Sequence, residues 1–227
     1  MSIALDSVSV DLAGRRVLAD LSVTIEDRRV GVIGANGSGK STLARLLNGL
    51  VLPSAGRVLV EGLDTRADTK AVRRKVGFVF QNPDNQIVYP IVSEDVAFGL
   101  KRLGLSKAQT AERVAETLAR FGLAHLADAS AHLLSGGEKQ LLALAGMLAA
   151  EPAILVLDEP TTLLDLRNTR RIARILADLP QRIMLVTHDL DLLADFDRVL
   201  VVDGGRLVAD APPAEAIAAY RALMEAP

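Results

Sequence analysis

The sequence contains no cysteine and no tryptophan, and aromatic residues make up only 3% of its 227 residues. Without cysteine the chain can form neither disulfides nor thiolate metal sites, which fits a reducing compartment. The shortage of rings argues against a platform for single-stranded nucleic acid, because such platforms stack bases on aromatic side chains. Half of the residues are nonetheless apolar, so a sizeable core can be buried.

Neither sign of charge dominates, since 26 basic residues face 28 acidic ones. The densest basic run, Arg73-Arg74-Lys75, is interpreted as a solvated approach to a strand, and no basic face for nucleic acid is evident. The segment 1–12 lacks the basic region and apolar block of a signal peptide. The longest strongly apolar stretch without charge, 140–150, is too short to span a bilayer. We expect a soluble or peripheral protein that reaches a membrane only through a partner.

Short apolar runs alternate with segments of helical spacing along most of the chain. The predicted buried strands are 30–33, 76–80, 153–157, 183–187 and 199–202. The predicted half-buried strands are 8–12, 17–25 and 57–61, where 17–25 either continues or partners the first, and a hairpin is predicted to lead into 206–209. The predicted helices are 42–50, 106–121 with a capping box at Ser106 and Gln109, and 136–150.

This order predicts an α/β fold with a parallel core sheet, an N-terminal antiparallel β layer and an inserted helical subdomain. The predicted division of the chain is a core at 1–84 and 153–227 and a helical subdomain at 85–152.

A glycine-rich loop follows the first buried strand and precedes a helix. It matches the phosphate-binding pattern G-x-x-x-x-G-K-[ST] at every fixed position. The N–H groups of such a loop cradle phosphates, so we expect Lys40 to reach the β- and γ-phosphates and the Ser41 hydroxyl to ligate Mg²⁺. The predicted nucleotide-binding residues are Gly34, Ala35, Asn36, Gly37, Ser38, Gly39, Lys40, Ser41 and Thr42. The alternative is a glycine-rich turn with a capping serine, and the pattern does not say what the nucleotide is used for.

Two carboxylates end the apolar run 154–157. Asp158 and Glu159 therefore lie at the carboxyl edge of the predicted sheet, where ligands bind in open α/β folds. Asp158 is placed to hold Mg²⁺, directly or through water, and Glu159 to take the proton of an attacking water. Alone, the pair could be a solvated strand end, but a phosphate loop in the same chain favours the catalytic interpretation.

The third helix is predicted to start at the segment Leu134-Ser-Gly-Gly-Glu-Lys-Gln140. Ser135 and Glu138 form an S-x-x-E capping box, which alone would explain them. With the two preceding motifs, however, the segment resembles the Leu-Ser-Gly-Gly-Gln signature of the ABC ATPase family, with Glu138 where Gln is commoner. The resemblance implies an ATP-hydrolysing enzyme with the P-loop NTPase fold. It also implies that Ser135 and Gly137 bind the γ-phosphate of ATP held by an opposite subunit, two chains closing head to tail around two ATP molecules.

Three further residues fall in the order of that family. By resemblance, Gln81 is the glutamine that senses Mg²⁺, water and the partner, and Asp165 is the aspartate of the loop after the carboxylate pair. The segment 161–165, Thr-Thr-Leu-Leu-Asp, departs from the more usual Ser-x-Leu-Asp wording. His188 follows a buried strand, as the family's switch histidine does, and should touch the γ-phosphate. His125 and His132 have no such context and are interpreted as ordinary residues.

Adenine recognition is where this sequence departs most from the family. The family usually stacks the base on an aromatic residue ahead of the phosphate loop, and the corresponding position is Leu12, or nearby Val10. Apolar contact would replace stacking, so we predict modest ATP affinity and tolerance of GTP.

The segments 80–86 and 94–99 resemble the ATPases of energy-coupling-factor importers, and the resemblance to the ABC family covers about residues 2–215. It implies a cytoplasmic-face, peripheral membrane location in a bacterium and uptake of a vitamin or metal ion. The wording of 161–165 is similar to the biotin-uptake branch. The implied partners are a second ATPase subunit, identical or paralogous, a transmembrane T component and a substrate-binding S component, with no nucleic acid. ATP and Mg²⁺ are the implied cofactors.

Other interpretations fit less of the sequence. A GTPase needs a guanine-reading Asn-Lys-x-Asp run, which is absent, and a kinase would leave the signature segment and His188 unexplained. A non-transport ABC ATPase acting on nucleic acid or the ribosome is the main alternative. The DNA-repair type carries a long coiled coil before its signature, yet only 95 residues separate Lys40 from Ser135 here. The ribosomal type normally has two ATPase halves in one chain.

Overall fold

The computed structural model describes residues 2–162 and 164–225. Its strands are β1 (Ile3–Leu12), β2 (Arg15–Ile25), β3 (Arg29–Ile33), β4 (Ala55–Val60), β5 (Leu63–Asp64), β6 (Val76–Val79), β7 (Ile154–Asp158), β8 (Arg182–Val186), β9 (Arg198–Asp203) and β10 (Arg206–Ala211). Its α-helices are α1 (Lys40–Leu46), α2 (Thr69–Lys75), α3 (Val92–Leu100), α4 (Lys107–Arg120), α5 (Gly136–Leu148), α6 (Leu166–Asp178) and α7 (Pro213–Glu225).

The described residues form two compact units. The first contains 2–77, 153–159 and 181–225, and the second contains 78–152, 160–162 and 164–180. The predicted helical subdomain, 85–152, lies within the second unit. That unit also takes in 78–84 and α6, which the predicted division placed in the core. Arg171 of α6 donates a hydrogen bond to the carbonyl of Phe121 at 2.5 Å, which is one contact that ties α6 to the second unit.

The larger sheet has the order β10-β9-β3-β8-β7-β6, and the chain passes from the first unit to the second within β6. β3 pairs in parallel with β8 and β9, and β7 pairs in parallel with β8, whereas β10 runs antiparallel to β9. The central strands are buried along almost their whole length, which explains why they appear in the sequence as continuous apolar runs. The carboxyl ends of β3, β7 and β8 therefore meet at one edge.

A four-stranded antiparallel sheet of order β2-β1-β4-β5 forms the predicted N-terminal layer in the first unit. Ile3 pairs with Ile25 of β2 on one side and with Val60 of β4 on the other. The segment 17–25 is thus the partner of the first strand and not its continuation. Ile3, Leu5, Val8 and Val10 are all buried, so this sheet contributes its own share of the apolar core.

The helices of the second unit follow local signals that the sequence shows clearly. The capping box of α4 is confirmed, because Ser106 and Gln109 exchange backbone-to-side-chain hydrogen bonds at 2.9 and 3.3 Å. α3 approaches α5 closely at Gly99, where a Cβ would lie 2.6 Å from the carbonyl oxygen of Gly146. No α-helix within the described residues is long and apolar enough to cross a bilayer.

The run Arg73-Arg74-Lys75 leads directly into β6, as predicted, but it does so as the last turn of α2, a helix that the sequence did not predict. Arg73 donates hydrogen bonds to the carbonyls of Asn48 and Gly49, at 3.1 and 2.8 Å, just beyond the end of α1. A cation that caps the carbonyls near a helix end is a tertiary contact, and the short α2 has too few turns to reveal its periodicity in sequence. The helix predicted at 42–50 is also shorter, ending at Leu46.

Candidate nucleotide site and signature segment

The glycine-rich loop joins β3 to α1, as the pattern predicted. Gly34 has φ 151° and Gly39 has φ 108°, both in the region that favours glycine. A Cβ on Gly34 would lie 2.0 Å from the carbonyl oxygen of Val202, and one on Gly39 would lie 2.6 Å from Leu18 Cδ2. No larger residue fits at either position, so the loop conformation depends on these two glycines.

Lys40 is folded back into this loop with only 4% of its surface exposed. Its Nζ donates to the carbonyl oxygens of Gly34 and Ala35 at 2.9 and 2.8 Å. Burial lowers the pKa of Lys40, while the nearby carboxylates of Glu159 and Asp158 act in the opposite direction. The buried Oγ of Ser38 has no hydrogen-bond partner among the residues that the structure describes. A buried cation and an unsatisfied hydroxyl in one loop suit an anionic ligand.

Ser41 and Asp158 meet although 117 residues separate them in sequence, with the Ser41 hydroxyl 2.7 Å from Asp158 Oδ1. Asp158 is only 1% exposed, and burial raises its pKa, while the hydrogen bond from Ser41 and the charge of Arg45 act to lower it. Arg45 Nη2 lies 3.3 Å from Asp158 Oδ2. A hydroxyl and a carboxylate side by side are the hard oxygen donors that Mg²⁺ takes from protein, its other ligands being phosphates and water.

Glu159 has φ 51°, an unusual left-handed conformation for a residue with a side chain. Its N–H donates to the carbonyl oxygen of Val186 at 2.9 Å, which holds the bend in place. Its Oε1 lies 2.8 Å from Nε2 of His188, the residue two positions beyond β8. Glu159 is 9% exposed, whereas the His188 side chain is 37% exposed. The structure thus pairs the predicted base with the predicted switch histidine, and such strained residues concentrate at functional sites.

The signature segment opens α5 with a complete capping box. The N–H and the hydroxyl of Ser135 lie 2.8 and 2.6 Å from Glu138 Oε2, and these hydrogen bonds lower the pKa of Glu138. Ser135 is exposed, while Gly137 is buried so closely that a Cβ there would meet Asn168 Nδ2 at 2.4 Å. The prediction that Ser135 and Glu138 form a capping box is therefore confirmed. The capping box does not compete with a binding role, because the serine still faces solvent.

Four arginines of α6 line a cavity of about 880 Å³ together with Ser135 and Asp165. They follow the spacing R-x-x-R-R-x-x-R and thus share one face of the helix. None of the four forms an ion pair within 2–162 and 164–225, although Arg171 donates a hydrogen bond to the carbonyl of Phe121. Sequence reasoning missed this positive face, although its helical spacing was there to be counted.

The remaining predicted residues divide between the units. Gln81 is exposed just after Phe80 in the second unit, and Asp165 in the same unit caps α6 by accepting from the N–H of Asn168 at 2.8 Å. Leu163, within the segment 161–165, lies outside the described residues. Leu12 in the first unit is 43% exposed, whereas Val10 is fully buried, so only Leu12 can offer its side chain to a base.

The described residues contain no group of three or more acidic or histidine side chains that could hold a metal ion by themselves. The Ser41 and Asp158 pair therefore needs further oxygen ligands, which for Mg²⁺ bound with a nucleotide include phosphates and water.

Comparison with known proteins identifies the family. The sequence profile described as ABC transporter matches residues 18–162. This chain belongs to the ABC transporter ATPase family. The ABC ATPase is an ATP-binding, ATP-hydrolysing protein, which confirms the predicted family, fold and enzyme class.

Two relatives and one solved structure show which members of the family this chain resembles. The biotin transport ATP-binding protein of Rhizobium etli is 56% identical over 97% of this chain and 98% of that protein. An energy-coupling factor transporter ATP-binding protein of Symbiobacterium thermophilum is 47% identical over 95% of this chain and 73% of that one. The dimeric, post-hydrolysis structure of an ATP-binding cassette with ADP and phosphate matches with a TM-score of 0.82 and 27% identity, covering 93% of this chain and 98% of the other.

Proposed function

We propose that this ABC ATPase is the motor subunit of an energy-coupling-factor importer that takes up a vitamin, with biotin as the favoured cargo. It would close head to tail with a second ATPase subunit around two molecules of ATP and Mg²⁺. The observation that carries the enzymatic part is the contact of Ser41 with Asp158 beside the phosphate loop, because it assembles a hydroxyl and a carboxylate from distant parts of the chain.

The phosphate loop would hold the nucleotide. Its N–H groups and Lys40 would bind the phosphates, and Lys40 would exchange the carbonyls of Gly34 and Ala35 for phosphate oxygens. Ser41 and Asp158 would hold Mg²⁺, with Gln81 as a further ligand. When bound, the ion neutralises charge on the β- and γ-phosphates.

Hydrolysis would depend on the pair formed by Glu159 and His188. Glu159 would accept the proton of the attacking water, and its bent backbone fixes where the carboxylate points. His188 would hold Glu159 through the 2.8 Å contact and touch the γ-phosphate. This arrangement is already formed in the protein, so it costs little reorganisation when the nucleotide reacts.

The signature segment would act on nucleotide that another subunit holds. Ser135 is exposed at the start of α5, and the N–H of Gly137 lies in the first turn, where N–H groups lack a partner within the helix, so both could donate to a γ-phosphate. Asp165 would face the same partner. The dimeric form of the related cassette supports this proposal. Each ATP would then hold two subunits together, and its hydrolysis would let them separate.

The transport role rests on the relatives. The biotin and energy-coupling-factor proteins are similar over nearly the whole chain. The chain would lie at the cytoplasmic face of the membrane, bound to a T component, with an S component supplying substrate. Biotin is favoured as the cargo because the more similar of the two relatives, from R. etli, is a biotin transport protein.

The test is co-purification of the tagged chain from membranes of cells that express it with its native operon. We expect a T-type membrane protein and a small S component to be retained. Uptake of labelled biotin should follow in the same cells and disappear with Lys40→Ala, which disables ATP binding. Recovery with ribosomes or DNA and no membrane protein would contradict the transport role. Uptake of Co²⁺ instead of biotin would contradict the cargo alone.

A further inference from the structure

Phe80, the residue that precedes Gln81, is held by side chains at both of its backbone groups. Its N–H donates to Gln86 Oε1 at 3.2 Å. Its carbonyl oxygen accepts from Gln140 Nε2 at 3.4 Å. Side chains here make the contacts that a neighbouring strand would make in a sheet, so the backbone just before Gln81 is fixed as β6 ends.

Both glutamines connect Phe80 to α5, the helix that the signature serine caps. Gln140 is on α5 itself and is only 2% exposed. Gln86 reaches α5 with its other end, because its Nε2 donates to the carbonyl oxygen of Ala143 at 2.8 Å. Since residues three apart share a helix face, Gln140 and Ala143 present one side of α5 to the segment 80–86.

Two further contacts make this connection stiff. Lys139, next to Gln140 on α5, pairs with Asp84 at 2.8 Å. The intervening residues 83–85 form a 3₁₀ turn capped by Asn82, which accepts from the N–H of Asp84 at 3.0 Å. A short turn with its ends bonded to the same helix has few alternative conformations. Gln86 is half-buried and its amide serves two backbone groups at once, so removing it would leave both groups without that partner.

We propose that Gln86 and Gln140 are positioning residues that join the loop carrying Gln81 to the signature helix, so that both respond to nucleotide as one body. This inference rests on the proposed roles of Gln81 and Ser135. Neither glutamine is expected to touch nucleotide. If Gln81 moves, the two glutamines would transmit that movement to α5. Ser135, which is proposed to meet the second subunit, would then move as well.

The experiment compares amide hydrogen exchange of the full-length Glu159→Gln chain with and without ATP and Mg²⁺. We expect ATP to slow exchange in the phosphate loop, 34–42, in the segment 80–87 and in the first half of α5, 136–143. In the Gln86→Met and Gln140→Met variants the loop 34–42 should still be protected, while protection of 136–143 should fall at least threefold. Gln86→Glu keeps the acceptor for Phe80 but loses the donor to Ala143, so it should behave like Gln86→Met at α5.

Gln109→Met is the matched control, because it removes a glutamine of the same unit that caps α4 and makes no bond to α5 in the described structure. It should lower thermal stability without changing the ATP effect at 136–143. The inference would be overturned if ATP protected 34–42 in the Glu159→Gln parent but did not slow exchange in α5. It would also be overturned if the Gln86 and Gln140 variants kept the full protection of 136–143. Absence of protection at 34–42 in the parent would instead overturn the proposed nucleotide site. In kinetics, the glutamine variants should lower kcat with KM for ATP little changed.

Discussion

The two regions that we propose to face phosphate differ in how much of each is buried. In the first unit Lys40 and Asp158 are 4% and 1% exposed and already bonded to the loop carbonyls and to Ser41. In the second unit the signature serine and the arginine face of α6 are open to solvent. The first region is thus assembled within one fold, whereas the second displays its donors outward.

That difference has an energetic side. Buried charges require partners, so the first region must keep its hydrogen bonds in place for the protein to fold. Like charges three and four residues apart weaken a helix by a few tenths of a kcal/mol per pair, so the arginine face of α6 is retained at a small cost in stability. A buried region that is preorganised and an exposed region that waits for another molecule are what the head-to-tail proposal requires.

The largest expected effect is on ATP hydrolysis in the first region, and it should leave ATP binding unchanged. Glu159→Gln should lower the turnover of ATP by about 10²–10⁴, the usual contribution of a general base, and leave ATP affinity nearly unchanged. Phosphate release and nucleotide titration measure the two quantities. Glu215→Gln, the same substitution on α7 outside the site, is the control and should change neither. Wild-type turnover in the Glu159 variant would remove it from the mechanism.

The next effect tests whether the second region completes a site on another chain. Ser135→Arg should lower hydrolysis by about 10², because it removes one preorganised donor and adds bulk. Lys40→Ala should be inactive for a different reason, the loss of phosphate binding in its own loop. Mixed dimers of the two variants should then regain at most one working site, measured as activity per dimer. Two working sites in a mixed dimer would contradict the shared-site proposal.

A smaller effect concerns the base. The exposed Leu12 offers no ring for stacking, so we expect the wild-type chain to bind ATP and GTP with comparable dissociation constants. Leu12→Tyr should tighten ATP binding about tenfold, because base stacking on a ring contributes roughly 1–3 kcal/mol. Val208→Tyr adds a ring at another exposed apolar position and should have no effect. A strong wild-type preference for ATP would count against the assignment of Leu12.

The smallest effect concerns the signature cap and depends on pH. The pKa of Glu138 is lowered in the folded state by its hydrogen bonds from Ser135, so its contribution to stability is present above the unfolded pKa. It is lost as pH falls through the folded value. Glu138→Ala should lower the free energy of unfolding by about 1 kcal/mol at pH 7, and by less in acid, when measured by urea unfolding.

Glu138→Gln keeps the reciprocal cap and should lose most of this pH dependence. Glu112→Ala, on the exposed side of α4, controls for the removal of a glutamate from a helix. An equal loss of stability in Glu138→Ala at pH 3 and pH 7 would contradict the role of its charge.

Local signals predicted most of the elements correctly. The core strands were evident because a strand buried on both faces must be apolar throughout, and the caps of α4 and α5 because Ser106 and Ser135 each stand three residues before their partner. The short α2 and the helices α3, α6 and α7 went unpredicted. The helix α2 is held by a tertiary contact, in which Arg73 donates to the carbonyls of Asn48 and Gly49. No local sequence pattern predicts such a contact.

The candidate site was predicted residue by residue but not in its contacts. The motifs indicated Ser41, Asp158 and Glu159, and the family resemblance indicated His188, yet the bonds that join them depend on which strand edges meet. The left-handed backbone of Glu159 was not predicted from its motif. Gln86 and Gln140 each end a segment that the sequence analysis singled out, but nothing in those segments predicted that both bind Phe80. These features depend on packing between residues far apart in sequence.

By itself the sequence indicated the phosphate-binding loop and the order of the core strands, because such a loop needs particular glycines and because burial imposes a period on the apolar residues. Only the tertiary structure decided which donors meet, that Lys40 and Asp158 are buried while Ser135 is exposed, and that α6 joins the second unit. The physical reason is that hydrogen-bond distances and desolvation are set by the packing of distant segments, and a linear pattern does not contain that packing.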